Sequence, residues 1–171
     1  MSIGTKAVCH IALLVKDLAK AVKNWSMLLG IDDPKLWTYP EYDQVPSFTH
    51  GEPTDNTDTK FAVFQLDNII LELVQPGDNP KTPYREGMDR DGEGLEGISF
   101  VVKDRHAANQ VLKEMGAPKP YHIGYFPDGT YAFVDTREQL GIEINIKTDD
   151  DNTKKIPELK ADPTLHLKDF E

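Results

Sequence analysis

The sequence has almost no cysteine and no long hydrophobic run. Its 171 residues include one Cys, which excludes an internal disulfide framework and is typical of a reducing compartment. The longest apolar stretches, such as residues 69–74, are far shorter than the roughly 20 residues that cross a bilayer. The N-terminal residues show no charged and apolar secretion signal, so we expect a cytoplasmic protein with no membrane partner.

Basic residues are also scarce. Lys and Arg total 19 against 29 Asp and Glu, which gives a formal net charge of −10. Because such a charge repels phosphate backbones, we expect no nucleic-acid partner. Neither a glycine-rich phosphate loop nor a Gly-x-Ser-x-Gly nucleophile elbow occurs. The chain is long enough to bury a core as one ordinary domain, but composition alone does not indicate its function.

The chain contains an internal repeat. Residues 10–17 (HIALLVKD) align with residues 97–104 (GISFVVKD), and each segment predicts a strand followed by an Asp that can cap a helix. The next segments carry apolar residues at helical spacing. They end at Gly30 and Gly116, and glycine tolerates the left-handed conformation that closes many helices.

The second halves of the two copies match as well. Residues 60–64 resemble residues 130–134, and each segment leads through a polar turn to a final strand. The sequence therefore predicts an α+β fold of two tandem βαβββ modules. The chain divides into a first module with an insert, a linker, a second module and a C-terminal tail, at residues 1–76 (insert about 37–59), 77–94, 95–147 and 148–171.

Two segments fall outside the repeat. The insert is polar but carries aromatic residues, so it is a candidate lid as well as a plain loop. The tail has mixed charge and few apolar residues, and we expect it to be partly ordered at best.

The repeat resembles the vicinal oxygen chelate superfamily, and within it the branch of glyoxalase I and methylmalonyl-CoA epimerase. The resemblance rests on residues 9–31, 69–104 and 131–146. It implies that the two modules form an open, cup-shaped mixed sheet, the glyoxalase/bleomycin-resistance/dioxygenase fold.

The resemblance also implies a divalent metal ion in the cup, held by one residue from each first strand and one from each last strand. His10 and Glu72 match these positions in the first copy, and their counterparts in the second copy are Gly97 and Asn145. Two of the four expected ligands are therefore missing, because Gly offers no side-chain donor and an amide oxygen is a weak ligand. A divalent metal ion is expected only in a degenerate or rearranged site.

Two carboxylates are candidate bases. Glu72 lies within the apolar run 69–74, where a carboxylate is costly unless it is paired, hydrogen-bonded or metal-bound. We expect it to line the cavity. Glu143 stands between Ile142 and Ile144 and can act as a general base if burial raises its pKa. The alternative for Glu143 is a charge on the solvated face of an edge strand.

One histidine lies within an aromatic segment. His122 is surrounded in sequence by Tyr121, Tyr125 and Phe126, which favours a pocket wall with His122 as a catalytic residue. A loop histidine is the alternative. Since His122 and Glu143 can supplement His10 and Glu72, a rearranged metal site of these four residues is one hypothesis.

Two functions from different classes are open. The first is a lyase or isomerase that removes a proton from a small carbonyl or acyl substrate, with Glu72 or Glu143 as the base. If no metal is bound, His122 or Asn145 would hold the oxyanion.

The second function is a metal-free protein that binds a small molecule, as bleomycin-resistance proteins do. The aromatic residues would then enclose the ligand, and His50 of the insert is a candidate to cover it, although a solvent-exposed position is the other interpretation. In both cases the partner is a small molecule. Because open sheet edges tend to pair, we expect a homodimer.

Overall fold

The computed structural model describes residues 2–170 and contains both copies of the repeat in the predicted order of elements. The strands are β1 His10–Leu14, β2 Lys35–Thr38, β3 Ser47–Thr49, β4 Glu52–Pro53, β5 Lys60–Gln65, β6 Ile70–Gln75, β7 Gly94–Val101, β8 His122–Phe126, β9 Gly129–Val134 and β10 Glu143–Thr148. The helices are α1 Leu18–Leu29, α2 Pro83–Asp91, α3 Arg105–Glu114, α4 Arg137–Leu140 and α5 Lys155–Ala161, followed by a 3₁₀ helix at Pro163–Phe170.

The two modules meet at their first strands. The sheet order is β2-β5-β6-β1-β7-β10-β9-β8-β3-β4. Strands β1 and β7 pair antiparallel, whereas each pairs in parallel with the last strand of its own module, β6 or β10. The arrangement is therefore approximately two-fold about the β1–β7 seam. The predicted α+β fold with one open mixed sheet is confirmed.

The two long helices begin and end as their sequences predict. The side chain of Asp17 accepts a hydrogen bond from the first turn of α1, and Asp104 does the same for α3. Gly30 and Gly116 both have positive φ angles, 67° and 79°, which glycine adopts without a steric penalty. The apolar faces of α1 and α3 pack on the outer face of the sheet, so the opposite face is left for the cavity.

The insert connects the two ends of the sheet. It starts in β2, at one edge of the sheet, and its strand β3 pairs with β8 of the second module. On the way, Tyr39 is buried and its hydroxyl lies 2.7 Å from the hydroxyl of Tyr131. The insert therefore supplies part of the cavity wall.

The linker 77–94 contains a helix. The side chain of Thr82 caps α2 by accepting from the backbone N–H of Arg85, and Pro83 starts the helix with a preset φ angle. Tyr84 is buried, and its ring lies edge-on to Phe61 of the first module and Phe133 of the second. The linker thus packs into the core between the modules.

The C-terminal tail differs from the expectation of partial order. It forms α5 and the 3₁₀ helix, whose residues Ile156, Leu159 and Phe170 are buried against Phe48 and Ile123 on the outer face of β3 and β8. The expectation was wrong because the few apolar residues of the tail share one face and cover apolar side chains of the sheet. No helix within residues 2–170 is long and apolar enough to span a membrane.

Candidate functional site

A cavity of about 700 Å³ lies on the concave face of the sheet. Strands of both modules contribute to it, and so do the insert and α2. Its walls are aromatic, formed by Trp37, Tyr39, Phe61, Tyr84, Phe126, Tyr131 and Phe133. Its polar part comes from the central strands β1, β6, β7 and β10, with His10, Glu72, Glu96, Asn145, Glu143 and Lys147. An apolar wall around a few converging polar groups is typical of a small-molecule site.

The strand register makes His10 and Gly97 equivalent. On the β1–β7 seam, His10 is opposite Ser99 and Ala12 is opposite Gly97. A two-fold axis between these antiparallel strands exchanges the two pairs, so His10 corresponds to Gly97 and Ala12 to Ser99. This agrees with the sequence alignment of the two copies.

The same symmetry relates Glu72 to Asn145. Ala12 is opposite Glu72 in the parallel β1–β6 pair, and Ser99 is opposite Asn145 in the β7–β10 pair. All four positions implied by the resemblance therefore belong to the cavity wall. Two of them carry the side chains His10 and Glu72, and two lack a strong ligand.

These donors do not suit a divalent cation. In the part of the chain that the structure describes, no group of three or more His, Cys, Asp and Glu side chains is arranged to hold a metal ion. The Nδ1 atom of His10 lies 3.1 Å from the ammonium of Lys147. A side chain at Gly97 would not fit either, since a Cβ atom there would lie 2.8 Å from the carbonyl oxygen of Glu143.

The hypothesis of a rearranged metal site is also not met, because His122 does not join His10, Glu72 and Glu143. His122 is fully buried one layer behind the wall. Its Nε2 lies 2.9 Å from the hydroxyl of Tyr131, and its Nδ1 lies 2.8 Å from the hydroxyl of Thr49. Both ring nitrogens thus have protein partners, and burial lowers the pKa of His122 to about 3.

Glu143 lies in the cavity and is almost fully buried, with 3% of its surface exposed. The interpretation as a solvated charge on an edge strand was wrong, because β10 is a central strand between β7 and β9. The hydroxyl of Tyr121 donates a 2.8 Å hydrogen bond to the Glu143 carboxylate. Burial raises the pKa of Glu143 to about 7, although the bond from Tyr121 opposes this shift.

Glu72 lines the cavity as the sequence predicts. Burial raises its pKa, and the positive charge of Lys147 opposes the increase. Its strand β6 is separated from β10 by β1 and β7. Glu72 and Glu143 therefore reach the cavity from opposite sides of the β1–β7 seam.

A third carboxylate was missed by the sequence reasoning. The register of the β1–β7 pair shifts between Ala12, which is opposite Gly97, and Leu13, which is opposite Leu95. Glu96 is the extra residue of this β-bulge. A bulge turns a side chain away from simple alternation and is common beside functional sites, and Glu96 lines the cavity together with Gly97.

The environment of Glu96 favours its protonated form. Burial raises its pKa well above the ordinary value, the charges of Glu143 and Glu72 add to this, and Arg90 opposes it. Its Oε1 atom is buried with no hydrogen-bond partner among residues 2–170. A glycine beside a carboxylate in a strand was the signal available in the sequence, because bulges favour glycine.

The predicted aromatic wall is correct in part. Phe126 lines the cavity. Tyr121 lies behind the wall and reaches the site through its bond to Glu143. Tyr125 points to the other face of β8, where its hydroxyl donates to Asp169 of the tail at 2.5 Å. The prediction for Tyr125 was wrong because adjacent residues of a strand face opposite sides.

His50 does not cover the cavity. Its side chain is 60% exposed, pairs with Glu86 of α2 at 3.0 Å and stacks on Tyr121. The exposed interpretation was therefore correct for this residue. The aromatic residues that do reach the wall from these segments are Trp37 and Tyr39 of the insert and Tyr84 of the linker, and no pattern of spacing indicated Tyr84.

Taken together, the fold and the cavity define a class of protein: tandem βαβββ modules whose open sheet surrounds a cavity of small-molecule size. The sequence profile of the glyoxalase/bleomycin resistance protein/dioxygenase superfamily matches residues 9–133, and the chain belongs to this superfamily. A search of curated proteins finds no match.

Three solved structures share the fold at low sequence identity. A methylmalonyl-CoA epimerase from Mycobacterium tuberculosis is 18% identical, with a TM-score of 0.59 over 94% of this chain and 95% of that one. A methylmalonyl-CoA epimerase in complex with methylmalonyl-CoA and NH₄⁺ is 15% identical, with a TM-score of 0.58 over 84% and 94%. A hypothetical protein from Bacillus halodurans C-125 is 19% identical, with a TM-score of 0.57 over 84% and 94%. At these identities the likeness concerns the fold.

Proposed function

We propose that this protein is an isomerase or lyase of the epimerase type, which removes a proton beside the carbonyl group of a small acyl or carbonyl substrate. The observation that carries the proposal is Glu143. Its carboxylate lies in the cavity, is held by Tyr121 and has a pKa of about 7. A base of this pKa is well matched to proton transfer at neutral pH.

In the proposed reaction, the Glu143 carboxylate takes the proton, and the electrons of the C–H bond move to the carbonyl oxygen to form an enolate. Return of a proton to the same carbon completes an isomerisation. Glu72 reaches the cavity from the other side of the seam, so it is suited to deliver a proton to the opposite face of the carbon. Two carboxylates on opposite sides of the seam favour an epimerase with two acid–base residues over an enzyme that uses a single base.

The enolate oxygen needs a hydrogen-bond donor. Asn145 lies in the cavity two residues after Glu143 on the same strand, and its amide NH₂ group can donate where a carboxylate cannot. Its Oδ1 atom has no hydrogen-bond partner in the described chain.

Exchange of substrate hydrogen for deuterium in D₂O tests the proposal. The protein is incubated with methylmalonyl-CoA and with a panel of 2-oxo acids, and exchange is followed by mass spectrometry. We expect exchange with at least one substrate and a loss of about 100-fold in Glu143→Gln. Glu138→Gln changes an exposed carboxylate of α4 and is the matched control. Full exchange in Glu143→Gln, or no exchange by the wild type with any substrate, would contradict the proposal.

A second candidate function is binding of a small molecule without turnover. The observation in its favour is the aromatic wall, in which Trp37 and Phe61 stack at 4.0 Å between ring centroids and are nearly parallel. Such a surface suits a planar ligand. Saturable binding of a compound that quenches Trp37 fluorescence, with no deuterium exchange and no chemical change in the compound, would favour this function.

A further inference from the structure

Lys147 brings a positive charge into the polar part of the cavity. It follows Glu143 and Asn145 at alternate positions of β10, so strand geometry directs all three side chains to the cavity face. Its Nζ atom lies 3.1 Å from Nδ1 of His10. The lysine is only partly exposed, and its position is determined by a central strand.

The charge of Lys147 acts on both of the remaining metal-ligand positions. Its ammonium contacts His10 directly and lines the same cavity as Glu72. Because an ammonium can only donate, Nδ1 of His10 is the acceptor of this hydrogen bond. The lone pair of this nitrogen is thus engaged by the lysine and is not free to bind a metal ion.

We propose that Lys147 is the resident cation of this cavity: its ammonium takes the place beside His10 and Glu72 that the resemblance gives to a divalent ion, and it binds the carbonyl oxygen of the substrate. The first part concerns the protein alone. The second part rests on the proposed function, because it assigns the charge that stabilises the enolate.

The chemistry of the ammonium fits this role. A lysine ammonium has three N–H donors, and one of them is directed to His10, which leaves two for an oxygen of the ligand. The single positive charge of the ammonium stabilises an enolate oxygen less than the double charge of a divalent metal ion does. The ammonium is, however, a covalent part of the protein and does not have to be bound from solution. Gly97 and Asn145 supply no strong metal ligand, and Lys147, on the same strand as Asn145, supplies a cation in place of the metal ion.

A metal-binding experiment tests the first part. Asn145→Glu restores a third ligand beside His10 and Glu72, and Asn145→Glu/Lys147→Met also removes the ammonium. We expect Mn²⁺, titrated by calorimetry, to bind the double variant at least about tenfold more tightly than Asn145→Glu, because the repelling charge is gone. Asn145→Glu/Lys35→Met is the matched control, since Lys35 lines the same cavity, and we expect no such gain there.

Equal Mn²⁺ affinity of Asn145→Glu with and without Lys147, within about twofold, would overturn the proposal. So would an equal gain in the Lys35→Met control. Adding His10→Ala to the double variant must abolish the gain, because His10 is one of the metal ligands that the ammonium occupies in the wild type.

A second measurement is made on the wild-type protein. If Lys147 donates to Nδ1 of His10, the ring proton of neutral His10 is on Nε2. Nitrogen-15 NMR of the wild-type protein at pH 7, with His10 assigned from the spectrum of His10→Gln, reports the tautomer. The Nε2–H tautomer supports the proposal, and the Nδ1–H tautomer overturns it.

Deuterium exchange then tests the catalytic part. In Lys147→Met we expect a loss of exchange rate of about 100-fold, while Lys103→Met, on the exposed outer surface, keeps the wild-type rate. Wild-type exchange in Lys147→Met would overturn this part. If the wild type exchanges no substrate at all, the proposed function fails, but the Mn²⁺ and NMR results still decide whether Lys147 holds the cation position.

Discussion

At the scale of the residue, the cavity contains three carboxylic acids in an environment that disfavours their charged form. Glu143, Glu72 and Glu96 all line one cavity, and burial raises the pKa of each. The hydrogen bond from Tyr121 and the charges of Lys147 and Arg90 oppose the increase. These groups are thus placed for proton transfer at a cost in folding stability.

Glu143 makes the stability of the protein depend on pH. Its pKa rises from the ordinary value of 4.5 to about 7 in the folded protein, so the folded state binds the proton more tightly. The associated stabilisation is present below pH 4.5 and is lost as the pH rises through 7. We expect Glu143→Gln to be more stable than the wild type at pH 8, on the order of 1–3 kcal/mol, with little difference near pH 4.5. Urea unfolding at the two pH values measures this, and an unchanged pH dependence would contradict it.

Tyr121 also affects the pKa of Glu143. Because its hydroxyl donates to the charged carboxylate of Glu143, it lowers the pKa of Glu143. The deuterium-exchange rate of the wild type should rise with pH around a midpoint near 7, as the base loses its proton. In Tyr121→Phe the midpoint should move to higher pH, since the charged form loses its donor. A midpoint that stays in place or moves to lower pH would exclude this role for Tyr121.

At the scale of the element, strand alternation decides which side chains meet. In β10, Glu143, Asn145 and Lys147 reach the cavity while Ile144 and Ile146 pack against α3 on the outer face. The bulge in β7 breaks the alternation and adds Glu96. The tail covers the outer face of β3 and β8 in the same way that α1 and α3 cover their own strands.

The packing of the tail gives a stability prediction. Leu159 of α5 is fully buried, whereas Leu167 of the 3₁₀ helix is half-exposed. Leu159→Ala should lower the free energy of unfolding by about 2–4 kcal/mol, because it leaves a cavity in a packed cluster. Leu167→Ala should cost less than about 1 kcal/mol. Urea unfolding of both variants measures the difference, and equal effects would show that the tail does not pack as described.

At the scale of the whole molecule, the insert and linker join the two modules into one structure. The insert runs from the edge strand β2 to the far edge, and α2 buries Tyr84 between Phe61 and Phe133. The cavity is therefore built from both modules, and its symmetry is broken by residues outside the repeat.

The homodimer stays a prediction. Strand β2 is an edge of the sheet, and Leu36 on it is 63% exposed, a feature that favours pairing with another chain. We expect sedimentation equilibrium to give twice the chain mass of 19.2 kDa, and Leu36→Glu to weaken the association. A single-chain mass for the wild type at high micromolar concentration would contradict the prediction.

The repeat, the helix caps and the correspondence of His10 with Gly97 and of Glu72 with Asn145 can all be recognised in the sequence alone. These follow from local patterns, because caps, strand alternation and internal alignment involve neighbouring residues or copies of one motif. They were sufficient for the superfamily and indicated Glu72 as a cavity carboxylate, whereas they left the location of Glu143 open.

The arrangement of charges in the cavity, in contrast, depends on contacts between residues that are distant in sequence. The contact of Lys147 with His10 spans 137 positions of the chain, and the bulge that turns Glu96 inward exists only in the register of β7 against β1. Tyr125 and His122 were assigned to the cavity because they are neighbours in sequence, but side chains of β8 alternate between two faces and His122 lies behind Tyr131. The spacing of residues along the chain indicates which face of a strand a side chain occupies. Which charges meet across the cavity depends on how the strands curve and pair.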